Sequence, residues 1–122
     1  MAGGIERGDI RLYRFAAPDK ERPVVVLTRN VSIGLLATVT AAPITSTIRG
    51  VPSEVVLNQD DGMKSACAVN LHNLATLSQK RLGRRVARLS STRLGEICGA
   101  IRFALGCDAD GEPPQRRDRG EV

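Results

Sequence analysis

Residues 22–29 read RPVVVLTR, and this stretch decides the fold class. Four apolar residues in succession, three of them β-branched valines, suit a strand covered on both faces better than a helix of comparable length. Pro23 donates nothing to a ladder and so belongs at the start or the edge of that strand, which pins Arg22 at a loop-to-strand junction. Upstream, GDIRLYR (8–14) alternates Ile10, Leu12 and Arg14 against Arg11 and Tyr13, as a strand with one wet face does. Between the two lies a loop, Ala16–Glu21, whose Pro18-Asp19 pair forms turns and whose last residues include Lys20.

Downstream the same short-strand rhythm continues. LATVTAAPI (36–44) is a third strand that Pro43 is expected to close, and TSTIRG follows it with hydroxyl side chains and Gly50. SEVVL (53–57), SACAVNL (65–71) and GRRVARLS (83–90) give a fourth, fifth and sixth, with NQDDG (58–62) as a solvated hairpin tip. Then the period changes: Leu94, Ile97, Cys98, Ile101, Ala104 and Leu105 recur at helical steps. Ser90 or Ser91 serves as N-cap, Gly106 as stop, and Arg93 and Arg102 point outward from a helix over about 91–105. A helix of this length is marginal alone in water and must bury one face on the strands. The expected fold is mainly β, a small barrel with a C-terminal helix, forming one domain over 1–107.

Composition narrows the function classes. A chain of 122 residues supports one core, and 42% apolar with 25% charged residues is a globular balance. No apolar run approaches the roughly 20 residues a membrane span needs, and the charged N-terminal segment MAGGIERGDIR lacks the apolar centre of a secretory signal, so a cytoplasmic home is expected. The tail DADGEPPQRRDRGEV (108–122) has too few apolar residues to offset its ordering entropy and is expected to be disordered. It also carries five acids against three bases, leaving fifteen bases and eight acids, net +7, on the body. Seven of those bases fall between 80 and 102 with Glu96 as the single acid. A solvated face explains any one of them, but the regional excess favours a field for nucleic acid or for an acidic protein segment.

Three cysteines (Cys67, Cys98, Cys107) form no CxxC pair, and one histidine, His72, stands far from any metal-ligand spacing, so neither a metal nor another cofactor is expected. Cys98 sits on the apolar stripe of the helix and reads as a buried, reduced thiol. The phosphate-loop, HExxH and GxSxG signatures are missing, and a single histidine excludes a two-histidine ribonuclease. Polar residues collect instead where strands end: Arg22, then Thr45, Ser46 and Thr47, then Arg49, then Asn70, His72 and Asn73. If positions 22, 45 and 73 meet at one rim, a guanidinium, hydroxyls and an amide surround a phosphate-sized gap with no carboxylate to repel the anion.

The ordered blocks RGDI (7–10), RPVVVLT (22–28), APITSTIRG (42–50), SEVVL (53–57), AVNLHNLATL (68–77) and RLGRRVARLS (81–90), followed by a closing helix, resemble the MazF/PemK family of type II toxin–antitoxin toxins. The resemblance covers about residues 6–106. It implies an SH3-like barrel of the MazF/PemK/CcdB type and a metal-independent, sequence-specific endoribonuclease that cuts single-stranded RNA as a homodimer by attack of the ribose 2'-hydroxyl. Carried over residue by residue, it makes Arg22 and Thr45 catalytic; Lys20, Ser46, Thr47, Arg49, His72 and Asn73 are the candidate substrate-binding residues beside them. A cognate antitoxin, acidic and partly disordered, is the implied protein partner. The chain departs from the family pattern in having His72-Asn73 where Asp-Gln is frequent, Arg11 where an aromatic is common, and a short 16–21 loop. Two other readings use the same barrel: a gyrase poison similar to CcdB, disfavoured because no Trp is present near the C-terminus, and an inactive module that binds RNA or antitoxin without cutting.

Overall fold

The computed structural model describes residues 4–16 and 20–107; the tail expectation for 108–122 and residues 17–19 of the 16–21 loop lie outside them. In chain order the elements are β1 (Asp9–Arg14), β2 (Glu21–Val26), a one-turn helix α1 (Asn30–Ile33), β3 (Thr38–Thr45), β4 (Glu54–Leu57), β5 (Cys67–Asn70), β6 (Ala75–Ser78), β7 (Leu82–Arg88) and α2 (Ser91–Leu105). The seven strands are joined antiparallel in the order β4-β5-β3-β2-β1-β7, and β6 pairs with β3. The hydrogen-bonded path does not close, so the barrel is an open one with β4 and β7 at its ends.

The Val24–Val26 run is buried on both faces, as its composition requires. Val25 enters the main core with Ile10, Leu57, Val69, Leu71 and Ile97, the last supplied by α2. Val24 joins Tyr13, Ala41 and Leu77 in a smaller cluster. Helix α2 keeps its expected bounds: Ser90 Oγ accepts the Arg93 N–H at 3.2 Å, and Gly106 ends the helix with φ of 71°, the left-handed region where a side chain is costly. Ile97 and Ala100 make its buried side.

Several expectations need correction. The supposed wet face of β1 is buried by side chains packed over it: Tyr13 clusters with Val24, Ala41 and Leu77 and lies under the Arg81 guanidinium, 5.1 Å from its ring centre. Arg11 is 8% exposed and donates to the buried Asp9 carboxylate and to the Gly83 carbonyl. Pro43 ends the pairing of β3 with β2, as expected, but β3 itself runs two residues further because its other edge pairs with β5 at Ile44 and Thr45. A seventh strand, β6, and the single turn α1 were not anticipated; unlike the four-residue β4 and β5, neither ATLS nor NVSI contains a β-branched or apolar run that sets it apart from its loop. The 58–62 segment is the exposed β4–β5 connection, as expected, but it is ordered as a 3-10 turn in which half-buried Asp61 caps the Asn58 N–H and binds Arg93, which is therefore turned inward instead of outward. Cys98 is half-buried, with the Arg7 Nη2 at 3.2 Å from its Sγ.

Candidate nucleic-acid cleft

The site originates in how β2 and β3 part. Their ladder pairs Val26 with Ala41, Val25 with Ala42 and Val24 with Pro43, and then stops. Pro23 and Pro43 each lack an N–H, so neither can extend it by donation. Carrying the same register two steps further sets Arg22 opposite Thr45, on one face of the sheet, where cross-strand neighbours meet. With no hydrogen bonds to hold them, the strands separate there, β2 staying with β1 and β3 with β5.

Two adjoining clefts fill the split, and Arg22, Ile44 and Thr45 line both. The larger, about 610 Å³, adds Lys20, Ser46, Lys64 and Arg84 to its wall and has Met63 and Cys67 among its apolar residues. The smaller, about 370 Å³, is lined in addition by Phe15, Thr47, Arg49, Asn70 and Asn73. Seven of the eight residues singled out from the sequence are thus gathered by geometry: Arg22, Thr45, Ser46, Thr47, Arg49 and Asn73, with Lys20 completing the larger cleft. His72 lines neither; its Nδ1 lies 2.6 Å from Ser53 Oγ. The absence of a carboxylate holds for the smaller cleft only, because Glu21 lines the larger one beside four cations.

Local hydrogen bonds aim the polar groups. The Thr47 N–H donates to Thr45 Oγ1 at 3.1 Å, which occupies a lone pair of that oxygen and leaves the hydroxyl proton free to be donated elsewhere. The Glu54 carboxylate accepts the backbone N–H groups of Arg49 and Gly50, fixing the loop after β3 while the Arg49 side chain keeps no ionic partner among the described residues. Burial pushes the Cys67 thiol up, and the nearby Asp61 charge adds to that, so the sulfur at this wall stays protonated and is no nucleophile.

The basic run from 80 to 102 divides. Arg88 binds Asp9 and Glu6, Arg93 binds Asp61 and Glu96, and Arg81 covers Tyr13 and donates to the Arg14 carbonyl. These three serve the fold. Arg84 faces the larger cleft with no ionic partner among the described residues. Arg84, Lys64 and Phe15 are cleft residues that strand-end position did not mark, whereas Asn70, noted in the sequence as a strand-end polar residue, does line the smaller cleft.

Comparison with known proteins agrees with this arrangement. The chain is 38% identical over 104 residues to a probable endoribonuclease MazF2 of Mycobacterium tuberculosis, an alignment spanning 84% of this chain and all of that protein. It is 42% identical over 87 residues to a probable endoribonuclease MazF5 of Mycobacterium tuberculosis, covering 70% and 80% of the two chains. Among solved structures, the Mycobacterium tuberculosis toxin MazF-mt6 superposes with a TM-score of 0.75 at 34% identity, over 82% of this chain and 98% of that one. An endoribonuclease from a Mycobacterial species, solved with its cognate antitoxin, matches with a TM-score of 0.75 at 26% identity, over 86% and 98%. The model of the PemK-like, MazF-like toxins of type II toxin–antitoxin systems matches residues 6–105, and the chain, with its open barrel, closing helix and split between β2 and β3, belongs to that family.

Proposed function

We propose that this toxin is a sequence-specific endoribonuclease that cuts single-stranded RNA at the ridge shared by the two clefts. The observation that carries the reading is the position of Arg22 and Thr45 in both clefts, opposite each other across the end of the β2–β3 ladder. A phosphodiester seated on that ridge has one nucleotide extending into each cleft.

In the reaction the ribose 2'-hydroxyl attacks the adjacent phosphorus and the bond to the 5'-oxygen breaks, leaving a 2',3'-cyclic phosphate and a 5'-hydroxyl. Arg22 neutralises the charge that builds on the phosphorane oxygens; a guanidinium acts by electrostatics more readily than by giving up a proton. Thr45 donates its hydroxyl proton, left free by the Thr47 contact, to a non-bridging oxygen. Lys20, Ser46, Thr47, Arg49 and Asn73 hold the flanking nucleotides, and Lys64 and Arg84 add positive potential. No step of this scheme requires a metal. His72 has no role in it.

The same reading includes a homodimer, a cytoplasmic setting, a single domain over 1–107, and an antitoxin whose acidic, partly disordered segment covers the basic clefts. The last finds support in the relative solved with its cognate antitoxin. None of the helices among the described residues is long and apolar enough to cross a membrane.

The test is to incubate purified protein with long unstructured RNA in EDTA and to sequence the 5' ends. Discrete cuts with 5'-hydroxyl ends are expected. Folded protein that leaves every single-stranded RNA intact overturns the reading.

A further inference from the structure

The side chains buried most deeply among polar groups of this fold are otherwise satisfied: Asp9 binds Arg11 and Arg88, and Ser53 meets His72. Asn70 is the exception. Its Oδ1 is buried without a hydrogen-bond partner, and no other hydrogen bond holds the amide among the described residues. Yet Asn70 lies at the last position of β5, paired through its backbone with Glu54, and lines the smaller cleft beside Arg22 and Thr45. An orphaned buried acceptor is rare in a folded chain and asks for an explanation in the ligand or in function.

We infer that Asn70 is a specificity-determining residue, whose amide reads the Watson–Crick edge of a nucleobase seated in the smaller cleft. This rests on the ribonuclease reading for the chemistry at the neighbouring ridge. A carboxamide offers one acceptor beside two donors, the complement of a base edge that places a donor next to an acceptor. Single-stranded RNA exposes that edge, and proteins read it there. Because nothing in the protein pins the amide, a half-turn about its last bond exchanges oxygen and nitrogen and lets it match the base that enters. The cleft suits such an occupant: about 370 Å³, with the Phe15 ring as a stacking face, Arg49 and Asn73 as polar neighbours, and no carboxylate on its wall. Arg22 and Thr45, shared with the larger cleft, place this base on a nucleotide that adjoins the scissile phosphate.

The experiment compares wild type with Asn70→Ala and the near-isosteric Asn70→Asp, each confirmed folded by thermal melting, on an RNA pool randomised over the cut region. The expected result is loss of preference at one position adjoining the cut in Asn70→Ala, with cleavage of the best wild-type sequence lowered roughly tenfold to hundredfold. Asn70→Asp replaces donors by acceptors and shifts that same position toward guanine, whose N1–H and exocyclic amine suit a carboxylate. Unchanged preference at every position in both folded variants overturns the inference. A second measurement, selection from an uncleavable randomised single-stranded 2'-deoxy pool, separates the two claims. If wild type cuts no RNA but selects a motif that Asn70→Ala relaxes at one position, the ribonuclease reading falls and the base-reading role stands. If the selected pools of wild type and both variants coincide, the role of Asn70 falls even where cleavage is observed.

Discussion

Two regions of this small barrel use arginine in opposite ways. On one side, Asp9 is fully buried and takes Arg11 and Arg88 at 3.2 and 3.0 Å, while Asp61 takes Arg93 at 2.9 Å and so ties the 58–62 turn to α2. On the other side, where β2 and β3 part, Arg22 and Arg84 face open clefts with no ionic partner among the described residues. Charge counting treats these residues alike. Pairing sorts them: a guanidinium whose partner is a buried carboxylate belongs to the fold, and one left open beside a hydroxyl is available to an anion.

The largest effect expected follows from breaking the first region. Asp9→Ala removes the buried carboxylate that Arg11 and Arg88 both bind and should cost about 3–5 kcal/mol of stability, read as a lower midpoint in urea unfolding. Cleavage per folded molecule should be kept. The converse comes next: Arg22→Ala should reduce cleavage roughly 10²–10³-fold, the scale for removing one preorganised stabiliser of transition-state charge, with the unfolding midpoint unmoved. Arg22→Lys should recover little, because an ammonium lacks the planar fork. Should Arg22→Ala unfold the protein while Asp9→Ala spares it, the division drawn above is reversed.

What could be read in the sequence tracks how local its physical cause is. The double-sided burial of Val24–Val26, the helix over 91–105 and its Ser90 and Gly106 ends are consequences of neighbouring residues, and they were legible. The burial of Arg11 and Tyr13, and the inward turn of Arg93, depend on which strand or turn lies alongside, and alternation within one segment does not contain that. The site is divided in the same way. Arg22 and Thr45 stood out as strand-end residues and through the family resemblance, but their facing arrangement follows from the β2–β3 register and from two prolines that stop the ladder. Asn70 was visible only as one polar residue at a strand end; its missing partner is a property of packing.

A smaller effect sharpens the structural half of the comparison. Burial raises the Asp61 carboxyl, but hydrogen bonds from the Arg93 side chain and the Asn58 N–H outweigh it and hold the group below its ordinary value of 3.8. A carboxyl whose folded pKa is depressed contributes stability that is present above the unfolded pKa and is lost as pH falls through the folded one. Asp61→Asn should therefore lower the melting temperature at neutral pH, by the equivalent of about 1 kcal/mol for a largely buried pair near the surface, and should differ progressively less from wild type as pH falls below 3.8. A constant gap across that range would mean the turn is held by packing alone.

The smallest effect belongs to His72, and its smallness is the point. A general base acting on the 2'-hydroxyl contributes typically 10²- to 10⁴-fold, so its removal would rival that of Arg22. But the ring lies outside both clefts, with Nδ1 engaged by Ser53 Oγ at 2.6 Å. Removing it leaves Ser53, itself 7% exposed, without that partner, a loss of about 1 kcal/mol at most. His72→Ala should thus lower the melting temperature slightly and leave the cleavage rate and the cut sequence as they are. A rate loss comparable to that of Arg22→Ala would require the 71–74 turn to swing toward the ridge when RNA binds, and would move the catalytic boundary from the β2–β3 split to the end of β5.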